Sequence, residues 1–300
     1  MRTGVKISVA FTCCLILAML LNSQQAYAQL RPFDNSRTMS PWLYNPAAAF
    51  TGDFQSVIAY DGRNTNSFTP QSIMAAVRIP VIYAGRDRRK PASMVGAQYL
   101  RTSQDIVSSS VLSGNFSYQV PISKRVRAAI GLGAGMSMLN YNYENLVFVD
   151  QQDPLLGNGV DFFNMHLNAG FSIVIDERLT FSAALPYILR ENKTNFGEII
   201  VRAMYDAAIS NDLELQIAGN LDTYNQNMIA GGDLSLQWKK TLGLLAGADN
   251  FKAYSGLSIR LETIHFSYTY GINYSNLLNR LPNNQVMIML SIPPKSKYSR

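Results

Sequence analysis

Cysteine, histidine and tryptophan are almost missing from this chain, with two of each in 300 residues. Cys13 and Cys14 sit together in an apolar run near the start, so the remainder has no thiol. That excludes disulfides, thiol redox chemistry and cysteine-based metal sites from the rest of the chain. His166 and His265 are too far apart in sequence to form a ligand pair at metal-binding spacing. Charge is scarce as well, at 15% of residues. Beyond the first 28 residues no apolar run reaches the roughly 18 residues of a membrane helix. What remains is rich in Tyr (16), Phe (14) and Gly (20), with mean hydropathy near zero. Composition alone would also suit a water-soluble β domain.

Residues 1–28 read as a signal peptide. Arg2 and Lys6 supply the positive start, Ile7 to Leu21 the apolar core, and Ala26-Tyr27-Ala28 a cleavage site before Gln29. A membrane anchor is the competing reading, and the short core followed by a cleavage site disfavours it. The cysteines lie too early for lipidation. Removing Arg2 and Lys6 leaves 24 Lys and Arg against 20 Asp and Glu, a net charge of +4. That balance is too modest and dispersed for nucleic-acid binding.

The positive signal is alternation. From Phe162 to Ile175, Phe163, Met165, Leu167, Ala169, Phe171, Ile173 and Ile175 fall on one side. Phe162, Asn164, His166, Asn168, Gly170, Ser172 and Val174 fall on the other. Successive side chains of a strand point to opposite faces, so this segment has one apolar and one mostly polar face. Fourteen such strands are predicted. The first seven lie near 53–62, 72–82, 93–102, 109–121, 126–140, 161–175 and 178–189. The second seven lie near 198–209, 212–222, 227–238, 241–249, 253–261, 263–274 and 284–292. Behind a signal peptide they predict an all-β fold, a transmembrane antiparallel β-barrel with lipid outside and a polar lumen.

The expected domain order is signal peptide 1–28, a proline-bearing pre-barrel segment 29–52, the barrel 53–292 and a basic tail 293–300. Short turns are expected at Ser123-Lys124-Arg125, Asp176-Glu177, Ser210-Asn211, Lys239-Lys240 and Glu262, with longer loops such as Asn142–Val160 and Ser275–Asn283 between them. This matches the short periplasmic turns and longer outer loops of bacterial barrels. Two places break the pattern: the long basic stretch Tyr83–Ala92, with Arg86, Arg88, Arg89 and Lys90, and the tight connection Asn250–Lys252. Trp238, Tyr187, Tyr268, Tyr270 and Tyr274 near strand ends would suit an aromatic belt, although aromatics favour strands anyway.

Gly131, Gly133 and Gly135 make a bare stripe on the inner face of the fifth strand. Two readings stay open: relief of strand curvature, or room for the segment Phe33–Phe50 to fold back and partly plug the lumen. No ring of like charge marks an ion-selective constriction. Catalytic patterns are equally scarce. Both histidines fall on inward faces, where polar filler is a simpler account than a Ser-His-Asp hydrolase. Asp150-Gln151-Gln152-Asp153 lacks the regular oxygen spacing of a Ca²⁺ loop. No phosphate-binding or dinucleotide motif is present, and no cofactor or metal is expected.

One word in the chain is more specific. Tyr44-Asn45-Pro46-Ala47-Ala48-Ala49, followed by an apolar strand and Tyr60-Asp61-Gly62-Arg63-Asn64, resembles the opening of the PorP/SprF family. These are outer-membrane proteins of the type IX secretion and gliding machinery of the Bacteroidetes. Ala48 and Phe50 stand where that family usually carries Tyr and Gly, and the chain ends on Pro293-Pro294 and a basic tail, as a divergent paralogue would. The resemblance implies a non-enzymatic part in type IX protein secretion: helping to secrete or anchor a cell-surface cargo protein or a motor component. It implies outer loops 142–160 and 275–283 facing cargo. It places Arg86, Arg88, Arg89, Lys90 and the tail toward periplasmic or lipoprotein subunits of the machinery. A passive porin or hydrophobic-solute channel is the main alternative, and an outer-membrane lipid hydrolase trails both.

Overall fold

A computed structural model of the protein describes residues 41–48, 54–63, 71–82, 90–104, 107–141, 161–190, 198–224, 227–250, 252–273 and 282–292. The first seven strands are β1 (Phe54–Arg63), β2 (Gln71–Ile82), β3 (Ala92–Gln104), β4 (Val107–Pro121), β5 (Val126–Tyr141), β6 (Asp161–Ile175) and β7 (Leu179–Arg190). The rest are β8 (Glu198–Ala208), β9 (Leu213–Tyr224), β10 (Asn227–Trp238), β11 (Leu242–Asp249), β12 (Lys252–Leu261), β13 (Ile264–Asn273) and β14 (Pro282–Ile292). Sequential neighbours pair antiparallel all the way round, and β1 pairs with β14 from Phe54↔Ile292 to Arg63↔Asn283. The sheet therefore closes on itself and keeps no free edge. Each strand end falls within two residues of the end expected from alternation.

The faces follow the pleat. On β6, Phe163, Met165, Leu167 and Phe171 are exposed, while His166, Ser172 and Val174 are buried. The same alternation exposes Ile58, Leu132, Leu244, Leu257 and Ile288 around the outside. A continuous apolar band of this kind is stable against lipid and not against water. Where expected aromatic-belt residues are described, Trp238, Tyr268 and Tyr270 sit on this outer face. Tyr274 lies outside the described residues.

Connection lengths depart from expectation. β3 runs to Gln104 and β4 begins at Val107, while β9 ends at Tyr224 and β10 begins at Asn227. Ladder pairs Gln104↔Val107 and Tyr224↔Asn227 carry these hairpins further than hydrophobic alternation does. With the tight connection after Asp249, several links on the expected long side are therefore short. Pro282 and Asn283, expected in a loop, belong to β14 and pair with Ile272 and Gly271. The closed ladder carries the barrel assignment; the connection lengths do not. Loop 142–160 lies outside the described residues.

Three of the short turns hold strained residues: Glu262 stands alone, with φ of 44°, and the other two turns hold pairs. Asp176 and Glu177 have φ of 50° and 60°, and Lys239 and Lys240 have φ of 51° and 56°. Consecutive positive φ values match a two-residue type I′ hairpin, where Asn-Gly is preferred. A side chain in this conformation costs about 1–2 kcal/mol per residue. Lys240 recovers little of it through its exposed 3.3 Å pair with Glu214. The double substitution Lys239→Asn, Lys240→Gly should raise the stability of the barrel in urea by about 1–2 kcal/mol. No gain would mean that Lys239 over the Trp238 ring, at 5.0 Å, offsets the strain.

Candidate functional site

The inner wall has two characters. From β4 to β13 it is largely polar, with Ser113, Ser117, Gln119, His166, Ser172, Asp222, Asp233, Ser267 and Thr269 all buried. Across the seam where β1 meets β14 it is apolar: Val57 and Ala59 on β1, Met74 and Ala76 on β2, Met287 and Met289 on β14. An apolar inner wall needs a cover, and residues 41–48 supply it. Trp42, Leu43 and Ala48 form one buried cluster with those six side chains, and Tyr44 and Leu100 pack against it.

Local chemistry shapes this segment. Pro41–Leu43 makes a single 3-10 turn, closed by Tyr44 N–H donating to the Pro41 carbonyl at 3.2 Å. Asn45 then organises the chain. Its Oδ1 accepts from Ala47 N–H at 2.8 Å, an Asx turn, and its carbonyl accepts from Ala48 N–H at 2.9 Å. Its Nδ2 donates to the carbonyls of Phe171 (3.2 Å) on β6 and Ala183 (3.4 Å) on β7. Pro46 follows with no N–H to satisfy, which suits a buried position. Ala47 is 0% exposed, and its carbonyl accepts from Ser172 Oγ at 2.5 Å.

Arg78 on β2 holds the other flank. Its Nη2 donates to Ser117 Oγ at 2.8 Å, the tight bond of the set. Longer 3.4 Å contacts run from Nη1 to the Ala48 carbonyl and from Nη2 to the carbonyls of Pro46 and Ala48. These are weak singly, beyond the usual N–H···O range. The guanidinium also lies 5.8 Å from the centre of the Trp42 ring. Arg78 is 1% exposed.

The contacts fall at one level of the barrel. Arg78, Ser117, Ser172 and Ala183 each lie within four residues of the strand end nearest the short turns. The segment therefore sits in one half of the lumen, toward that end. It reaches from β14 and β1 round to β7 and plugs that sector.

The glycine stripe serves two purposes. A Cβ on Gly131 would meet Pro46, and would lie 2.5 Å from Ala47 N. Gly131 is thus a docking surface for the plug, as the sharper of the two readings expects. Gly133 and Gly135 instead leave room for side chains of the neighbouring strand, Asn168 and His166, to lie flat against the wall. Gly170 on β6, which alternation does not distinguish, is a second docking point, because a Cβ there would collide with the Asn45 amide.

Asn45, Pro46 and Ala47 are therefore buried together in the lumen, with Tyr44 half-buried beside them. Lys90 is exposed just before β3, while Arg86, Arg88 and Arg89 lie outside the described residues. His166 and His265 face inward and are buried, on β6 and β13. Ser172, the serine that shares β6 with His166, is engaged by the plug. Among the described residues no group of three His, Asp or Glu side chains assembles that would hold a metal. Along one stretch of the inner wall, over β9, Arg202 on β8 pairs with Asp233 on β10 at 3.0 Å, both buried. Opposite charges so paired cannot act as a like-charge selectivity ring. Alternation sets Arg78 opposite Val77 and Ile79 and Gly170 on the polar face of β6, but assigns no role to either or to this pair.

No curated protein matches the sequence. Among solved structures the barrel is similar to the Ralstonia pickettii toluene transporter TbuX, with TM-score 0.51 and 10% identity, over 86% of this chain and 93% of that one. The Acinetobacter baumannii outer membrane protein Omp33 aligns with TM-score 0.49 and 7% identity, over 81% of this chain and 100% of that one. At such identity the likeness to TbuX speaks for the barrel fold alone. The sequence profile of the type IX secretion system membrane protein PorP/SprF family matches residues 26–292, and the chain belongs to that family.

Proposed function

We propose that this barrel is a closed, non-enzymatic platform of the type IX machinery. It helps to secrete or anchor a cell-surface cargo protein, or to hold a secretion or gliding component, and does not serve as a passive channel. The observation that carries this reading is the way the plug is built in. The Tyr44–Ala48 word that resembles the family's opening is the segment locked into the lumen by Asn45, Arg78, Ser172 and two bare glycines. A water-filled pore would not need an apolar inner wall at the seam. On this reading the outer loops 142–160 and 275–283 contact cargo. The basic stretch with Arg86, Arg88, Arg89 and Lys90 contacts periplasmic subunits.

A mild-detergent pull-down of the tagged protein from outer membranes, followed by mass spectrometry, tests it. A large surface protein or type IX subunits should follow the barrel. Replacing Arg86, Arg88, Arg89 and Lys90 by Ser should lower recovery of periplasmic partners at least severalfold and leave cargo recovery less affected. A solitary barrel that conducts ions in planar bilayers would overturn the platform reading in favour of a porin.

A further inference from the structure

The largest buried apolar cluster of the inner wall is centred on the three strands at the seam, with Leu100 of β3 packed at its border, and the seam is where the first and last strands of the chain must find each other. Pairing Phe54 with Ile292 closes nearly the whole chain into one loop, the least local contact in the fold. The plug precedes β1 by only a few residues, so its apolar end reaches β1 and β2 as a local contact. Trp42, Leu43 and Ala48 over Val57, Ala59, Met74 and Ala76 present a surface that lacks only the two methionines of β14. Met287 stands opposite Ala59 and Met289 opposite Val57 in the β1–β14 ladder, so docking them sets the closing register. A one-residue slip would turn both methionines out of the lumen.

We propose that the Trp42–Leu43 end of the plug is the template that closes the barrel: it recruits β14 onto β1 in register. The two parts of one short segment then divide the work. Trp42 and Leu43, with Ala48 beside them, close the seam, and Asn45 to Ala47 occupy the lumen at β5 to β7. This holds whether or not the protein carries cargo.

The test follows folding of the mature full-length chain into lipid vesicles, read by the gel shift between folded and heat-unfolded barrel. The double variant Trp42→Ala, Leu43→Ala should fold at least tenfold more slowly than the parent. A disulfide across the seam, Ile58→Cys with Ile288→Cys, joins residues directly opposite each other on the lipid face and away from the plug. Directly opposed strand positions have the separation that a disulfide needs. Formed in the unfolded chain before folding starts, it should restore the rate of the double variant. The matching staple between β4 and β5, Phe116→Cys with Leu132→Cys, should not. Equal rescue by both staples would reduce Trp42 and Leu43 to general stabilisers and overturn the template. A double variant that folds at the parent rate would overturn it as well. The expected absence of cysteine from the mature chain makes each staple unambiguous.

Discussion

Gly131→Leu should open the barrel without unfolding it. The added side chain begins where Pro46 already lies, 2.5 Å from Ala47 N and 2.8 Å from Pro46 Cβ. Those neighbours are mostly backbone, so no rotamer change relieves the clash. Overpacking of this kind costs about 1–3 kcal/mol even where some relaxation is possible. Detaching Pro46–Ala47 also breaks the Ser172 bond to the Ala47 carbonyl and pulls Asn45 from β6 and β7, adding roughly 1 kcal/mol for each lost hydrogen bond. A leucine adds three more carbons where even its Cβ finds backbone. The clash therefore exceeds the usual overpacking range and outweighs these bonds, and this part of the plug leaves the wall. In planar bilayers the parent should stay closed and Gly131→Leu should show stepwise openings. Gly133→Leu is the control, since it meets the Asn168 side chain and the Gly114 carbonyl but not the plug. If both variants conducted alike, the openings would report general damage to the wall. If neither did, the plug would not be what closes the lumen.

Arg78→Ala should produce the second large effect, this time on stability. The substitution removes the 2.8 Å bond to Ser117 and the donors facing the Pro46 and Ala48 carbonyls, and it empties the space beside Trp42. A hydrogen bond from a charged donor contributes about 1.5–3 kcal/mol, and a buried carbonyl left without a donor costs about 1–3 kcal/mol. These groups act as one network, so the pieces do not add. A combined loss of about 3–5 kcal/mol is expected. Urea unfolding in vesicles measures it, and limited proteolysis should cut the N-terminal segment of the variant first. Arg78→Lys separates charge from shape. An ammonium on a flexible stem cannot serve Ser117 and two carbonyls in one plane, so Lys should recover less than half of the loss. Full recovery by Lys would mean that the position needs only a positive charge.

Both predictions rest on features that alternation could not reveal. Strand assignment needs only each residue's neighbours two places away, and for β6 that information was complete. On the seam strand β2 the two faces are poorly divided. Its inner residues Met74 and Ala76 are as apolar as its outer Ile73 and Ile79, because the plug covers the inside as lipid covers the outside. With both faces dry, periodicity two disappears. The connection lengths failed for a related reason: hairpins such as Gln104↔Val107 extend through backbone pairing, which does not depend on hydrophobicity.

The site divides in the same way. Asn45-Pro46-Ala47 stood out as a word, and the bare stripe at Gly131 suggested that something approaches the wall. Nothing local says that Asn45 reaches Phe171 and Ala183, more than a hundred residues away. Nor does the stripe say that only one of its three glycines faces the plug.

By itself, then, the sequence determined that this protein is a lipid-facing barrel of fourteen strands, with its N-terminal word as the feature to watch. The reason is that lipid outside and polar groups inside impose a two-residue period, which any chain of this kind must carry in its letters. Only the tertiary structure decided which wall the word docks on, that Arg78 and Gly170 receive it, and that the seam has an apolar interior. Those depend on closure of the barrel, which brings β14 beside β1 and β6 beside the plug, and closure is a property of the whole chain.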